Sequence, residues 1–477
     1  MRKKKCYIIS NRLPFSYDKY TDKLIAGSGG LVTALGGVDI NYDLVWAGSV
    51  SDSHSKSKIE KLNKLQKKEK FKYLPINIPE KLYSSYYNSF CNDVLWPLLH
   101  YQSDLVKFSS VHWESYLKVN IIFAEKLLKV LQKGDIVWIH DFHFFMLPEL
   151  LRMDKKNIKI GFFLHIPFPS SEIFKQLPVR EQILNSLLKS DLVGFHDIAY
   201  LRHFSVSISS ILGISSELLS IEHNGHIANL GVFPVSIDTH AFKEKSKLKT
   251  TNTYYKKFIN AKGNLKVILG IDRLDYIKGL PLKLKMFRTF LRKNTKYIGR
   301  LQLIQVAIPT RQDVQEYVKL KEEVELLIGQ INGEFSTAVY TPIKYIYKSL
   351  NMNELLALYQ SSDMLYISSK RDGMNLVCLE YLTAQKSSNP GVVILSEFAG
   401  ASSTLSHALQ VNPWDYQDIS DSIIKALEMS LTEKIERHST MLKFLDSYTA
   451  SDWALSFLTA LEKNTKGIGN VGIGQES

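Results

Sequence analysis

Short apolar runs recur along the chain with helical segments between them: "CYIIS", "DIVWIH", "IGFFLHIP" and "DLVGFH" early, then "VILGI", "LQLIQVA", "MLYIS" and "GVVILS". Each has the length of a strand, is rich in β-branched or aromatic residues, and is bounded by polar or turn-forming residues. Strands that alternate with helices build parallel sheets through right-handed crossovers, and the helices cover both faces. One such helix is legible in "RQDVQEYVKLKEEVELLIGQI", where Val314, Tyr317, Val318, Val324, Leu327, Ile328 and Ile331 share one stripe. The fold class is α/β.

A chain of 477 residues exceeds one compact core, so two domains are expected. The two groups of strands are separated by "GVFPVSIDTHAF" and a lysine-rich stretch, which sets the boundary near residue 238. Two doubly wound domains facing each other would put their strand carboxyl ends, and therefore their ligands, around a shared cleft. No internal repeat is visible, and the tail after Leu461 is polar and glycine-rich, as frayed ends are.

The formal net charge is +13, from 60 Lys and Arg against 47 Asp and Glu, which favours acidic partners such as nucleic acid, anionic lipid or phosphorylated small molecules. The basic stretch Lys56–Tyr73 mixes glutamates and leucines at helical spacing, the pattern of a solvated helix face more than of a nucleic-acid patch. Cys6, Cys91 and Cys378 form no CxxC or Cys/His spacing, which fits a reducing compartment and argues against structural zinc. No apolar run nears the roughly 20 residues of a membrane span, and "MRKKK" does not lead into a signal-peptide core. A cytoplasmic, soluble protein is expected.

The residues able to do chemistry gather where strands end. In "IDRLDYIKGLP", Arg273 and Lys278 follow a buried run. There they can grip a diphosphate, the guanidinium as a planar fork and the ammonium as a point charge, or they can be surface cations bonded to Asp272 and Asp275. Spacing alone does not separate the two. In "SSKRDGMNLVCLEYLTAQ", a loop through Arg371, Asp372 and Gly373 feeds a helix beginning near Met374. Free N–H groups at a helix start take phosphate oxygens, and a carboxylate such as Glu380 two turns on can accept from a sugar diol. Asp372 is equally a favoured helix N-cap.

"WIHDFHFFMLP" and "FFLHIPFPS" put His140, Asp141, His143 and His165 at strand ends. Their density makes a metal conceivable, but the pattern is not HExxH, and a satisfied structural histidine is the commoner case. "SNRLP" and "AGSGGLVTAL" bracket the first strand-to-helix connection, whose glycines suit either an anion-binding loop or a closing loop.

In their order, "SNRLP", "GSGGLVTAL", "YYNSFCNDVLWPLLHY", "VWIHDFHFFMLPELLR", "GFFLHIPFPSSEIFKQLP", "DRLDYIKGLP", "RDGMNLVCLEY" and "ILSEFAGA" resemble the trehalose-6-phosphate synthases over residues 6–460. The resemblance implies a GT-B type α/β fold, two Rossmann-like doubly wound domains facing a central cleft. Residues 1–238 would bind the acceptor and 239–450 the nucleotide sugar. Residues 451–477 would form a helix packing back on the first domain, then a frayed tail. The implied reaction moves glucose with retention from UDP-glucose to glucose 6-phosphate, giving α,α-trehalose 6-phosphate and UDP.

By the same resemblance the donor would be held by Gly30, His165, Arg273, Lys278, Asp372, Gly373, Met374, Asn375, Leu376 and Glu380. The acceptor would be held by Arg12, Trp46, Tyr87, Trp96, Asp141 and Arg311. Asp141, His165, Arg273, Lys278 and Asp372 would carry the catalysis. The cations then stand where negative charge grows on the departing diphosphate. Neither a nucleophilic carboxylate, as in paired-carboxylate glycosidases, nor a metal or other cofactor is expected.

Nucleic acid and membrane are not expected partners, a homo-oligomer is allowed, and a separate trehalose-6-phosphate phosphatase is expected to act downstream. Lys370, Ser236 and the "VWAGSV" segment depart from the family pattern. The rival readings are a relative with another phosphorylated acceptor, such as a glucosylglycerol-phosphate synthase, a non-catalytic regulatory homologue and, on charge alone, a nucleic-acid-binding protein. The donor base is not legible.

Overall fold

The structure is a computed structural model that describes residues 4–18, 23–26, 42–50, 71–154, 157–217, 219–312, 314–463 and 467–468. The chain forms two compact units: unit 1 runs to Val235 and resumes at Ala450, and unit 2 is Ser236–Thr449.

Unit 1 is built on β1 (Lys5–Arg12), β2 (Asp43–Val50), β3 (Phe71–Asn77), β4 (Ile136–His140), β5 (Lys159–Phe163), β6 (Leu192–Phe195) and β7 (His226–Val232). These lie side by side and parallel in the order β3-β2-β1-β4-β5-β6-β7. The short strand Ser220–His223 pairs antiparallel with β7. Ile8 of β1 sits in register between Trp46 and Trp138, so the sheet centre is a row of large buried side chains. All five residues of β4 are buried, the continuous apolar run that a strand covered on both faces requires. Part of that cover comes from the other end of the chain. The helix Ala450–Lys463 lays Trp453 and Phe457, both fully buried, against Trp138 at ring distances of 5.0 and 4.9 Å.

Unit 2 contains β8 (Lys266–Arg273), β9 (Leu301–Ile308), β10 (Ile343–Ile346), β11 (Met364–Ile367), β12 (Val392–Ser396) and β13 (Leu409–Val411). Its sheet is wholly parallel, in the order β10-β9-β8-β11-β12-β13. The helix Gln315–Phe335 buries Tyr317, Leu320, Val324, Leu327, Ile328, Ile331 and Phe335. Val318, expected on that stripe, is instead 42% exposed, and Val314 precedes the helix as its cap residue. Tyr317, Leu320, Val324, Leu327 and Ile331 repeat in steps of three and four, and Val318, about 100° round the helix from Tyr317, falls off that stripe. A buried ion pair, Lys283 with Asp272 at 2.7 Å, ties the helix Leu280–Lys293 to the end of β8.

Each sheet thus starts at its centre, winds outward one way, returns, and winds outward the other way. The reversal falls between β1 and β4 in unit 1 and between β8 and β11 in unit 2. In open α/β sheets, the crevice outside the strand carboxyl ends at such a reversal is where ligands bind.

Candidate active site

At the reversal of unit 2, β8 ends at Arg273, whose side chain is 44% exposed. The chain then makes one 3-10 turn, Tyr276–Lys278, capped by the Asp275 carboxylate, which accepts from the Ile277 N–H at 3.3 Å. Gly279 follows at φ 68°, and a Cβ there would lie 2.2 Å from the Ser368 carbonyl oxygen. Only glycine lets the two loops close this far. Once closed, Ser368 Oγ donates to the Lys278 carbonyl at 2.9 Å and the Lys370 N–H to the Ile277 carbonyl at 2.7 Å. The second bond uses backbone alone, so the lysine at position 370 does not disturb it.

Lys278 Nζ reaches Asp372 Oδ2 at 2.5 Å, and that oxygen also accepts from Asn375 Nδ2 at 3.0 Å and Ser369 Oγ at 3.3 Å. Lys278 is therefore not a surface cation bonded to Asp272 or Asp275. The helix starts at Leu376, two residues later than expected, because Asn375 at φ 80° is its N-cap and accepts from the Cys378 N–H. Asp372 is not the cap; it holds the cap residue and the lysine. The carbonyls of Asp372 and Met374 are taken by the N–H groups of Gly400 and Ala401. The N–H groups of Gly373, Met374 and Asn375 make no hydrogen bond among the described residues. Three adjacent unsatisfied donors beside two cations form an anion cradle.

Asp275 is fully buried and shared, with Arg311 Nη1 at 3.2 Å and Arg273 Nη2 at 4.0 Å. Arg311 lies over the Tyr317 ring and bonds its hydroxyl. Glu380, on the helix behind the cradle, accepts from the Tyr359 hydroxyl at 2.9 Å. Burial pushes its carboxyl up to about 7, with the Tyr359 bond pulling the other way.

At the reversal of unit 1, the backbone around Arg12 is fixed from three sides. The Trp46 indole N–H donates to Ser10 Oγ at 2.6 Å, Ser10 Oγ donates to the Arg12 carbonyl at 2.6 Å, and a Cβ on Gly48 would meet the Arg12 carbonyl carbon at 2.6 Å. The guanidinium lies 4.9 Å from the Tyr87 ring and donates from Nε to the Tyr83 hydroxyl at 2.8 Å. Tyr87 stacks in turn on His143 at 5.8 Å. Trp96 is buried against His100 at 4.2 Å and Phe142 at 5.8 Å.

Asp141 follows β4 at φ 74° and ψ 169°, a conformation that costs a non-glycine residue about 1–3 kcal/mol. Its N–H donates to the Phe163 carbonyl at 2.8 Å and its Oδ1 accepts from the His165 N–H at 3.3 Å, which joins the ends of β4 and β5. His165 Nε2 lies 2.9 Å from His140 Nδ1. Burial lowers His140 to about 3. Burial, then the neighbouring His140, holds His165 well below the usual imidazole range. Both rings are neutral near pH 7.

The structure thus gathers Arg273, Lys278, Asp372, Gly373, Met374, Asn375, Leu376 and Glu380 in unit 2, and Arg12, Trp46, Tyr87, Trp96, Asp141 and His165 in unit 1. Arg311, grouped with Arg12 from the sequence, belongs to unit 2 and shares Asp275 with Arg273. Gly30 and residues 56–70 of the basic stretch lie outside the described residues. Among the described residues, no group of three or more His, Cys, Asp or Glu is placed to hold a metal ion, and no helix is long and apolar enough to cross a membrane. Sequence reasoning named Asp275 only as a partner of surface cations, not as a buried anchor shared with Arg311, and missed Tyr359 as the partner of Glu380. Asp275 carried a signal, an aspartate heading a turn; Tyr359, on another helix, carried none.

Residues 4–463 match the family model of glycosyltransferase family 20. An alpha,alpha-trehalose-phosphate synthase (UDP-forming) A of Dictyostelium discoideum is 42% identical over 459 residues, covering 96% of this chain and 62% of that longer protein. The E. coli trehalose-6-phosphate structure bound with UDP-2-fluoro glucose superposes with a TM-score of 0.88 at 33% identity, over 96% of this chain and 99% of that one. An alpha,alpha-trehalose-phosphate synthase (UDP-forming) from Burkholderia xenovorans in complex with glucose-6-phosphate has a TM-score of 0.87 at 30% identity, over 96% and 100%. This chain belongs to glycosyltransferase family 20, the trehalose-phosphate synthases, and has their GT-B type fold.

Proposed function

We propose that the chain is an α,α-trehalose-6-phosphate synthase that transfers glucose with retention from UDP-glucose to glucose 6-phosphate and releases UDP. The observation that carries this reading is the cradle of unsatisfied Gly373–Asn375 amides flanked by Arg273 and Lys278. It suits a diphosphate that gains negative charge as it departs. Lys278 is already held by Asp372, so its charge needs no rearrangement at the moment of bond breaking. On the reacting face the leaving phosphate oxygen takes the proton of the acceptor hydroxyl, and no carboxylate nucleophile is required.

In this reading Glu380, ionised, receives the ribose diol, and Gly30 completes the donor cradle. Asp141 and His165 touch the sugars, with Asp372 beside the transferred glucose. Arg12 over Tyr87, together with Arg311, takes the acceptor phosphate. Trp46 and Trp96 are buried, so we assign them supporting roles, Trp46 through Ser10 to the backbone of Arg12. Unit 1 would serve the acceptor and most of unit 2 the donor. The enzyme would act without a metal in the cytoplasm, alone or as a homo-oligomer, and pass its product to a separate phosphatase.

The test is nucleotide release from UDP-, ADP- and GDP-glucose, each offered glucose 6-phosphate, glycerol 3-phosphate or no acceptor. Release from UDP-glucose that depends on glucose 6-phosphate, with trehalose 6-phosphate identified by mass spectrometry, is expected. Release with glycerol 3-phosphate alone would replace the acceptor. Binding of the nucleotide sugar without release under any condition would make the chain a non-catalytic homologue.

A further inference from the structure

We propose that His140 is a positioning residue that fixes His165 as the Nδ1–H tautomer, so that His165 meets the transferred sugar only as a hydrogen-bond donor to one of its oxygens. The inference rests on the reading above that His165 contacts that sugar, and on the geometry where β4 and β5 end.

His140 Nδ1 and His165 Nε2 are 2.9 Å apart, and both rings are neutral. A neutral imidazole has one donor and one acceptor nitrogen, so a single proton lies between them and one of two arrangements holds. If His165 donates, His140 must carry its own proton on Nε2. That atom is buried and has no hydrogen-bond partner among the described residues. The rings packed beside it, Trp138 at 4.6 Å and Trp453 at 6.3 Å, offer indole N–H donors and no acceptor. If His140 donates, its Nε2 keeps only a lone pair. Orphaned buried N–H groups are the rarer and costlier defect, so the proton belongs on His140 Nδ1.

The tautomer of His165 follows. Its Nε2 accepts, and its own proton is on Nδ1. Among the described residues no group bonds to Nδ1, and the side chain is partly exposed, so this N–H is the one a ligand meets. The ring cannot turn away readily, because Phe163 at 4.7 Å and His196 at 5.4 Å pack against it. A nitrogen that already holds its proton cannot remove one from an acceptor hydroxyl. His165 is thereby excluded as the general base, and that proton is left to the departing phosphate oxygen.

The experiment is a long-range 1H–15N correlation spectrum of the full chain labelled at histidine, near pH 7 without substrate, with His165 assigned by loss of its signals in His165→Asn. A protonated Nδ1 and a bare Nε2 are expected. In His140→Leu the donor is gone: the Nε2–H form should appear and kcat should fall about tenfold, the size of one hydrogen bond, with UDP affinity unchanged. In His140→Asn the side-chain amide can donate from a similar position, and it should restore the Nδ1–H form and most of kcat. A wild-type His165 protonated at Nε2 overturns the proposal, as does a His140→Leu variant with unaltered tautomer and kcat. If His140→Leu fails to fold, the wild-type spectrum decides alone. Because the spectrum needs no turnover, a failure of the glucosyl-transfer reading is recorded separately from a failure of the tautomer.

Discussion

The two sheets share one strand order but hold their reversal points by different forces. Unit 2 uses charge: Asp275 gathers Arg273 and Arg311, and Asp372 gathers Lys278 and Asn375. Unit 1 uses rings: Tyr83, Tyr87 and His143 stack beside Arg12, and neutral histidines rest on Trp138 and Trp453. On the proposed reading, the contrast follows from what each unit would hold. A diphosphate brings dense charge, and cations awaiting it need internal carboxylates to keep them ordered and apart. A sugar phosphate brings hydroxyls and apolar faces with one charged group, for which neutral donors and aromatic walls suffice beside the cation Arg12.

The largest tests strike the anchor of each unit. Asp275→Ala strands the buried Arg311 charge and should cost about 3–5 kcal/mol of unfolding free energy in denaturant titrations. Trp453→Ala opens a cavity in unit 1 and should cost a similar 3–5 kcal/mol. A loss under 1 kcal/mol in either would mean that the contrast does not describe how that unit is held.

Removing a cation without an anchor should separate chemistry from folding. Arg273→Ala, at a half-exposed cation, should lower kcat by about 100- to 1,000-fold with thermal stability nearly intact, whereas Lys278→Ala leaves the nearly buried Asp372 carboxylate unpaired and should lower both. Equal losses of activity and stability in Arg273→Ala would recast that residue as structural.

Acid should weaken unit 1 through its buried histidines. His140 is neutral when folded, with a pKa of about 3 against 6.5 unperturbed. Between those values the unfolded chain binds more protons, so stability falls as pH falls below about 6.5, at up to about 1.4 kcal/mol per pH unit for this group. Thermal melts from pH 7.5 to 5 should show a shallower slope in His140→Leu than in wild type.

In unit 2 the pH response appears in binding. Glu380 titrates near 7 and is read as meeting the diol when ionised, so UDP affinity should rise about tenfold from pH 6 to pH 8. Calorimetry should find that dependence flattened in Glu380→Gln. The smallest effect is at Ser236, a buried hydroxyl with no hydrogen-bond partner among the described residues. Ser236→Ala should stabilise by about 1 kcal/mol and leave turnover unchanged.

Every apolar run singled out in the sequence became a strand, because a strand buried on both faces must be apolar throughout. The edge strand β3, "FKYLPIN", escaped notice: its lysine and Pro75 are tolerated because, among the described residues, one side of it has no partner strand. The same division runs through the candidate site. Arg273, Lys278, Asp372 and Glu380 announce themselves by following strands and glycines. The pairings His140 with His165, Glu380 with Tyr359 and Asp275 with Arg311 join residues 25, 21 and 36 positions apart, and only the stacking of strands and helices brings them within reach. Backbone detail was also hidden, since Asn375 takes the cap that Asp372 could have filled.

The return of Ala450–Lys463 to unit 1 carries a consequence for biosynthesis. When Val235 leaves the ribosome, the first sheet has all its central strands but lacks the helix that covers Trp138 and Phe163. The whole of unit 2 must be translated before that helix exists. At about 5–20 residues per second, its roughly 200 residues take on the order of 10–40 s. Unit 2 is contiguous and can complete its core first, so the unit made first is the last to be finished. Through that interval the bare aromatic face of the nascent sheet is a surface for chaperones to shield.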